Sequence, residues 1–234
     1  MYEVNTPWTN CQSHNGDVRL KIAVTTTTYN RPDKLNDLCK SLSLTVLPND
    51  VQLKWFISDD CSIGWIKMLG MIQEIPFLKV IRRNAKNLGA DLNTISCFEL
   101  ALTWAPVLII NLDADALVKP DWIRRYQEVW TQPEYGIISG FNSPYHLTTS
   151  QTEKMAHKKS APGLGLSCKP ELLKEAKLRN KYRPNWGGPT SWDYQLGYVA
   201  KSRNLMIGCI IPSVVQHQAG GGIHNTSDDY ARDW

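Results

Sequence analysis

Apolar positions along residues 20–112 switch repeatedly between two spacings, and the switches divide the stretch into strands and helices. Leu20-Lys21-Ile22-Ala23-Val24-Thr25-Thr26-Thr27 is rich in β-branched residues and predicts a first strand. It stops at Thr28-Tyr29-Asn30-Arg31-Pro32-Asp33, where Pro at a first-turn position and the adjacent Asp announce a helix carrying Leu35, Leu38, Cys39 and Leu42. Val51–Ser58 is a second strand ending in Asp59-Asp60-Cys61-Ser62, and Ile66, Met68, Leu69 and Ile72 mark the helix behind it. Phe77–Ile81 is a third strand, followed by a turn at Asn87-Leu88-Gly89 and a helix over 90–103 through Leu92, Ile95, Phe98 and Leu102. The run Val107–Leu112 is different in kind: five of its six residues are Val, Ile or Leu, the pattern of a strand covered on both faces. Four β/α alternations in succession predict an α/β fold with a mostly parallel sheet flanked by helices, because same-direction strands need crossover helices.

The pattern is looser afterwards. Ile137–Asn142 predicts a strand, 161–168 a glycine-bearing segment, and Pro170–Glu175 a helix with Pro at its start. Asn185-Trp186-Gly187-Gly188-Pro189-Thr190 is a flexible loop by composition, Ser191–Gly197 opens another helix, and Ile207–His217 is a last strand ending in a histidine. Residues 1–18 are expected as an irregular arm, 19–122 as a first half, 123–225 as the second half of the same domain, and 226–234 as an acidic, frayed tail.

Composition narrows the classes. A length of 234 residues suits one domain with a sizeable core, and the uncharged apolar runs are too short to cross a bilayer. The first residues lack the basic-then-apolar order of a signal peptide, so a cytoplasmic location is expected. Six cysteines stand without C-x-x-C spacing, which favours reduced thiols over a disulfide frame or a zinc site. Residues 151–203 carry 11 Lys/Arg against 4 Asp/Glu, whereas 1–150 carry 14 against 15. Such a basic stretch can face a polyanion or form a solvated helix face.

The candidate chemistry lies where the fourth strand ends. Asp113 and Asp115 would stand at the carboxyl edge of a parallel sheet, the place where open α/β sheets bind ligands. Two carboxylates there repel unless a cation joins them, and hard oxygen ligands suit Mg²⁺ or Mn²⁺ with a substrate diphosphate completing the shell. Strands one and two end in groups able to hold a nucleotide, Thr27 and the pair Asp59-Asp60, although an Asp there also serves as an ordinary helix cap. No G-x-G-x-x-G, G-x-x-x-x-G-K-[ST] or H-E-x-x-H is present, which disfavours a dehydrogenase, a P-loop NTPase and a zinc protease.

Taken in order, Thr27-Thr28-Tyr29-Asn30-Arg31-Pro32, Ile57-Ser58-Asp59-Asp60-Cys61-Ser62, Asn87-Leu88-Gly89 with Asn93, and Leu112-Asp113-Ala114-Asp115 before Pro120-Asp121-Trp122 resemble a nucleotide-sugar glycosyltransferase of the GT-A fold, family 2 type. The resemblance implies a Rossmann-like donor half over 19–122 and an acceptor-binding, catalytic half after it. It implies donor contacts from Thr27, Tyr29, Arg31, Asp60, Asn87, Asn93, Asp113, Gly165 and Trp186, and a Mn²⁺ or Mg²⁺ site from Asp113, Asp115 and His217, with His224 second to His217. Cys61 departs from the glycine common at that place in the family. Asp193 resembles the acidic general base of inverting members, the group that takes the acceptor proton.

The function expected is transfer of a sugar from a nucleoside diphosphate donor, UDP-linked by expectation, to a hydroxyl acceptor. The basic stretch makes a polyanion such as hydroxymethylated DNA, or a glycan, the candidate acceptor. A nucleotidyltransferase shares the layout and the carboxylate chemistry but needs a glycine-rich basic loop after strand one, which Thr28-Tyr29-Asn30-Arg31 is not. A non-catalytic nucleotide-sugar binding module is the other alternative.

Overall fold

The computed structural model describes residues 2–4, 19–181, 191–218 and 229–234. The four expected alternations are present as β2 (Leu20–Thr28), α1 (Pro32–Ser43), β3 (Val51–Asp59), α2 (Trp65–Gln73), β4 (Leu78–Arg83), α3 (Ala90–Leu102) and β5 (Leu108–Asn111). β4, β3, β2 and β5 lie side by side and all run parallel. β5 is shorter than the apolar run predicts, yet Val107 N–H and Leu112 N–H still donate to Lys21 O and Thr25 O, each at 2.8 Å. The chain therefore stays in step with β2 right up to the acidic residues.

One strand precedes this unit. Tyr2–Val4 (β1) pairs antiparallel with β4, so the arm expected to be irregular supplies an edge strand. The second half adds β6 (Ala116–Val118), α4 (Trp122–Trp130), β7 (Tyr135–Ser139), β8 (Thr148–Gln151), β9 (Met155–Lys158), β10 (Leu166–Cys168), α5 (Pro170–Ala176), α6 (Leu178–Lys181), α7 (Trp192–Ser202), β11 (Met206–Ile210) and β12 (Val215–His217). β10 runs antiparallel between β5 and β7 and so welds the halves into one ten-stranded sheet, ordered β1-β4-β3-β2-β5-β10-β7-β11-β9-β8. At its far end all four residues of β8 are exposed.

Two expectations fail here. The single strand predicted over Ile207–His217 is two: β11 belongs to the large sheet, while β12 pairs with β6 in a separate two-stranded ribbon. Pro212 lies between them, and a residue without an N–H cannot continue a ladder. The tail predicted to fray is docked over its described part, residues 229–234. Ala231 is 5% exposed, and Asp233 accepts from Ser213 Oγ at 2.6 Å and Asn142 Nδ2 at 3.1 Å.

The core lies on both faces of the sheet because alternate strand residues point oppositely. Val24, Trp55, Ile57 and Ile110 pack with Leu35, Leu38, Leu42, Met68 and Ile72 of α1 and α2, whereas Ala23, Phe56 and Ile109 pack with Ile95 and Phe98 of α3 and Leu172 and Leu196 of α5 and α7. The cleft side of the junction is tightened at Gly140. Its N–H donates to Gly165 O at 2.9 Å, its carbonyl accepts from Val214 and Val215 N–H, and Tyr126 Oη also donates to Gly165 O. A Cβ at Gly140 would overlap Tyr126 Oη and come within 2.9 Å of Val214 and Val215 side-chain carbons. Gly140→Ala should therefore lower stability by about 1–3 kcal/mol, read as a fall in the urea midpoint at unchanged slope.

Candidate active site

The acidic residues fall where the parallel strands end. Asn111, the last residue of β5, is fully buried, and its amide organises the turn beyond it: Nδ2 donates to Asp113 Oδ1 and to Gly163 O, both at 3.0 Å, while Oδ1 accepts from Thr25 Oγ1 at 3.1 Å. Asp113 is thus aimed by a neighbour that sequence reasoning gave no role. Ala116 N–H donates to Asp113 O at 2.9 Å, which closes the turn and starts β6. Because His217 lies opposite Ala116 in the β6–β12 pair, the histidine is delivered beside Asp115. Gln218 N–H fixes the same register by donating to Asp115 O at 2.8 Å.

Asp115 is 5% exposed, and its Oδ2 receives Arg31 Nη1 at 2.5 Å and His217 Nε2 at 3.3 Å. Burial opposes ionisation of this carboxyl, but the hydrogen bond and charge of His217 and the charge of Arg31 outweigh it, and its pKa is lowered. Asp113 goes the other way. Burial first, then the charges of Asp115 and, more weakly, Asp193 push it up to about 6, against the opposing pull of Asn111 and His217. The cleft edge is therefore short of positive charge around Asp113 and well supplied around Asp115.

Beyond the ends of β2 and β3 the edge is a buried polar network. Asp60 is 2% exposed; its Oδ1 accepts from Asn84 Nδ2 and Leu88 N–H, and its Oδ2 from Gly89 N–H, all at 2.9 Å. Asn93 accepts from Ser58 Oγ at 2.6 Å and Asn84 Nδ2 at 2.9 Å and donates to Ser58 O at 3.0 Å. These two residues, expected to contact donor, shape the loop that would meet it; Asn84 and Ser58, missed in the sequence, complete the network. Asn87 caps the same loop by accepting from Gly89 N–H at 2.8 Å. Thr27 is half-buried with its Oγ1 3.4 Å from Thr94 Oγ1, and Tyr29 is 42% exposed at the strand end. Asp59 is not a helix cap on its own helix: it is fully buried, accepting from Ser62 N–H at 3.0 Å and facing Arg83 Nε at 3.4 Å.

Asp193 stands in the first turn of α7, one residue beyond Trp192, with Ser191 in the N-cap position. Its Oδ1 accepts from Ser191 Oγ at 2.5 Å and from Tyr194 N–H at 2.8 Å, and no hydrogen bond reaches its Oδ2 among the described residues. Its charge is felt at Asp113 and also at His146, whose pKa burial lowers against the pull of Asp193 and Asp229. Asp193 therefore lies near enough to the Asp113–Asp115 pair for its charge to act on Asp113. Gly165, expected near the donor, takes φ +66 and donates from its N–H to Asn111 O at 2.9 Å, so it braces the site from below. Trp186, Gly187, Gly188 and His224 lie outside the described residues.

Among the described residues, four cations of the basic stretch have partners within the protein. Lys158 is buried and donates to Ser143 O and His146 O, Arg179 pairs with Glu99, Arg203 pairs with Glu175, and Lys169 lies over the Trp130 ring. Among the described residues no three His, Cys, Asp or Glu side chains are gathered as a ready metal cage. The donor set still suits a divalent cation, since Asp113 is a half-buried carboxyl raised by desolvation and by the neighbouring charge of Asp115, and Asp115 with His217 supplies one hard and one borderline ligand beside it. No described helix is long and apolar enough to cross a membrane.

A family model for glycosyl transferase family 2 matches residues 23–200. No curated protein matches the chain. Among solved structures, Staphylococcus aureus TarS 1–349 in complex with UDP-GlcNAc is similar over 88% of this chain and 60% of its own, at 15% identity and a TM-score of 0.63. The mannosyltransferase PcManGT from Pyrobaculum calidifontis, in complex with GDP-Man and Mn²⁺, is similar over 83% and 55%, at 15% identity and a TM-score of 0.60. The chain thus spans less than two thirds of either, and at this identity the likeness establishes the GT-A fold.

The elevated Asp113 pKa has a signed consequence for the metal-free protein. A carboxyl whose folded pKa is raised destabilises the fold as pH climbs from its ordinary value near 3.8 to about 6, and the penalty is complete above that. Asp113→Asn, which keeps an acceptor for Asn111, should stabilise metal-free protein on the order of 1–3 kcal/mol at pH 7.5 and scarcely at all at pH 4, measured by urea unfolding.

Proposed function

The chain belongs to glycosyl transferase family 2, and from that premise we propose that it transfers a sugar from a nucleoside diphosphate donor to a hydroxyl group of a glycan acceptor, with inversion at the anomeric carbon and with a divalent metal. The observation that carries the proposal is the pair Asp113 and Asp115 at the carboxyl edge of the sheet, with Arg31 and His217 on Asp115 and the charge of Asp193 acting on Asp113. In this reading residues 19–122 hold the donor and 123–225 the acceptor. The loop braced by Asp60 and Asn93, together with Thr27 and Tyr29, supports the nucleoside, for which uridine is the proposed base. Arg31 already brings a guanidinium to the acidic edge, a group whose geometry suits phosphate oxygens. Trp186 keeps its proposed role as a stacking face for the sugar.

Asp193 is the proposed general base. As the acceptor oxygen forms its bond to the anomeric carbon, its proton passes to Asp193 Oδ2, and the bond between that carbon and the diphosphate oxygen breaks on the opposite side. Ser191 Oγ and Tyr194 N–H hold Oδ1, leaving the other oxygen to face the acceptor. Asp115 and His217, with Asp113, would hold Mn²⁺ or Mg²⁺, which supplies charge neutralisation for the departing diphosphate. A glycan acceptor is favoured over DNA because cations of the basic stretch have partners within the protein, with Lys158 buried and Arg179 and Arg203 paired. A nucleotidyltransferase or a binding module without turnover would leave Asp193 without work at the cleft.

Specific nucleotide sugars should raise the melting temperature in the presence of Mn²⁺, because a ligand bound only by the folded state stabilises it by mass action. A thermal-shift panel across UDP- and GDP-sugars, with and without metal, measures this; a flat response to every donor would remove the reading. Asp193→Asn should keep donor affinity by calorimetry while transfer falls by about 10²–10⁴-fold. Asp115→Ala should abolish Mn²⁺-dependent donor hydrolysis, followed by release of free nucleotide.

A further inference from the structure

β12 brings His217 to the cleft, and the side chain one residue earlier, Gln216, is buried behind it. Its amide makes a two-way bond to the backbone of Ala231: Nε2 donates to Ala231 O at 3.1 Å, and Oε1 accepts from Ala231 N–H at 2.9 Å. The same Oε1 accepts from His217 N–H at 3.0 Å. One side chain therefore ties the backbone of His217 to the segment 229–234, in the manner of a strand bridge built from an amide. That segment is held independently of Gln216. Asp233 accepts from Ser213 and Asn142, Asp229 accepts from Ser143 Oγ at 2.7 Å, and Lys119 Nζ lies 5.1 Å from the centre of the Trp234 ring.

The need for such a tie follows from the topology. β12 is three residues long, lies outside the large sheet and takes its ladder from the three residues of β6, with a bond from Val215 N–H to Gly140 O at its start, the end away from His217. Two-stranded ribbons of this size are marginal alone. His217 must nevertheless hold its Nε2 at Asp115. We propose that residues 229–234, acting through Gln216, position His217 against Asp115, so that Gln216 and Ala231 are positioning residues for the diphosphate end of the cleft. The assignment of that end rests on the function proposed above; the positioning itself does not.

Two variants separate the tie from the fold at large: Gln216→Leu removes the amide, and Ala231→Pro removes the N–H that donates to Oε1. The first readout is the His217 imidazole in nitrogen-15 NMR of metal-free protein, assigned with His217→Ala. Both variants should shift or broaden its Nε2 signal. The second is Mn²⁺ affinity in the presence of UDP, by calorimetry, which should weaken by about 10–100-fold, the usual effect of removing support from a ligating residue. In a His217→Ala background Gln216→Leu should cause no further loss, since groups acting through one residue are not additive. An unchanged imidazole signal in either folded variant would overturn the proposal, as would an equal loss of affinity with and without His217. Failure of the unsubstituted protein to bind Mn²⁺ with any nucleotide would instead overturn the glycosyltransferase reading, while the imidazole signal would still decide the positioning.

Discussion

Much of this structure is a response to two like charges placed one residue apart at the end of a buried strand. Taking a carboxylate out of water is tolerable only when opposite charge or hydrogen-bond donors replace the solvent. At Asp115 the replacement comes from two distant parts of the chain, Arg31 from the turn after β2 and His217 from β12. At Asp113 the one hydrogen-bond donor among the described residues is a neutral amide, Asn111, and with His217 acting only through its charge the carboxyl keeps a raised proton affinity. The asymmetry divides the pair into a member paired directly with opposite charge and one that is not.

The edge beyond β3 is built on a different principle. There the polar groups of Ser58, Asp60, Asn84 and Asn93 bond chiefly to one another and to the backbone of Leu88 and Gly89. A network of this kind gives a loop a single shape without apolar contacts. The loop is thus shaped by buried residues, while Thr27 and Tyr29 beside it stay more exposed.

What could be seen in the sequence followed the range of the forces involved. The parallel unit was legible because Leu20–Thr27, Val51–Ser58 and Val107–Leu112 are continuous apolar or β-branched runs, and their alternation with helical spacing has one simple topological solution. Asp113, Asp115 and Asp193 were legible as residues placed at strand and helix ends. The roles of Asn111, Asn84 and Gln216 were not, since each depends on partners 15 or more residues away or on a turn whose geometry no local pattern specifies, except for the close Asn111–Asp113 and Asn84–Asn93 contacts. The break at Pro212 carried a local signal, but the apolar residues on either side of it, Ile210-Ile211 and Val214-Val215, concealed the change of sheet. The docking of 229–234 had no apolar signature beyond Ala231 and Trp234, because it is made largely by carboxylates meeting hydroxyl and amide groups of Ser143, Ser213 and Asn142.

The far border of the large sheet is Thr148–Gln151, with every residue facing water and no apolar side chain among them. A border of this sort still offers main-chain donors and acceptors, but a stranger lining up along it would bury only hydroxyls and an amide. The border is also only four residues long, and its pairing with β9 carries an irregularity between Thr148 and Ser150, two features that blunt an open sheet edge.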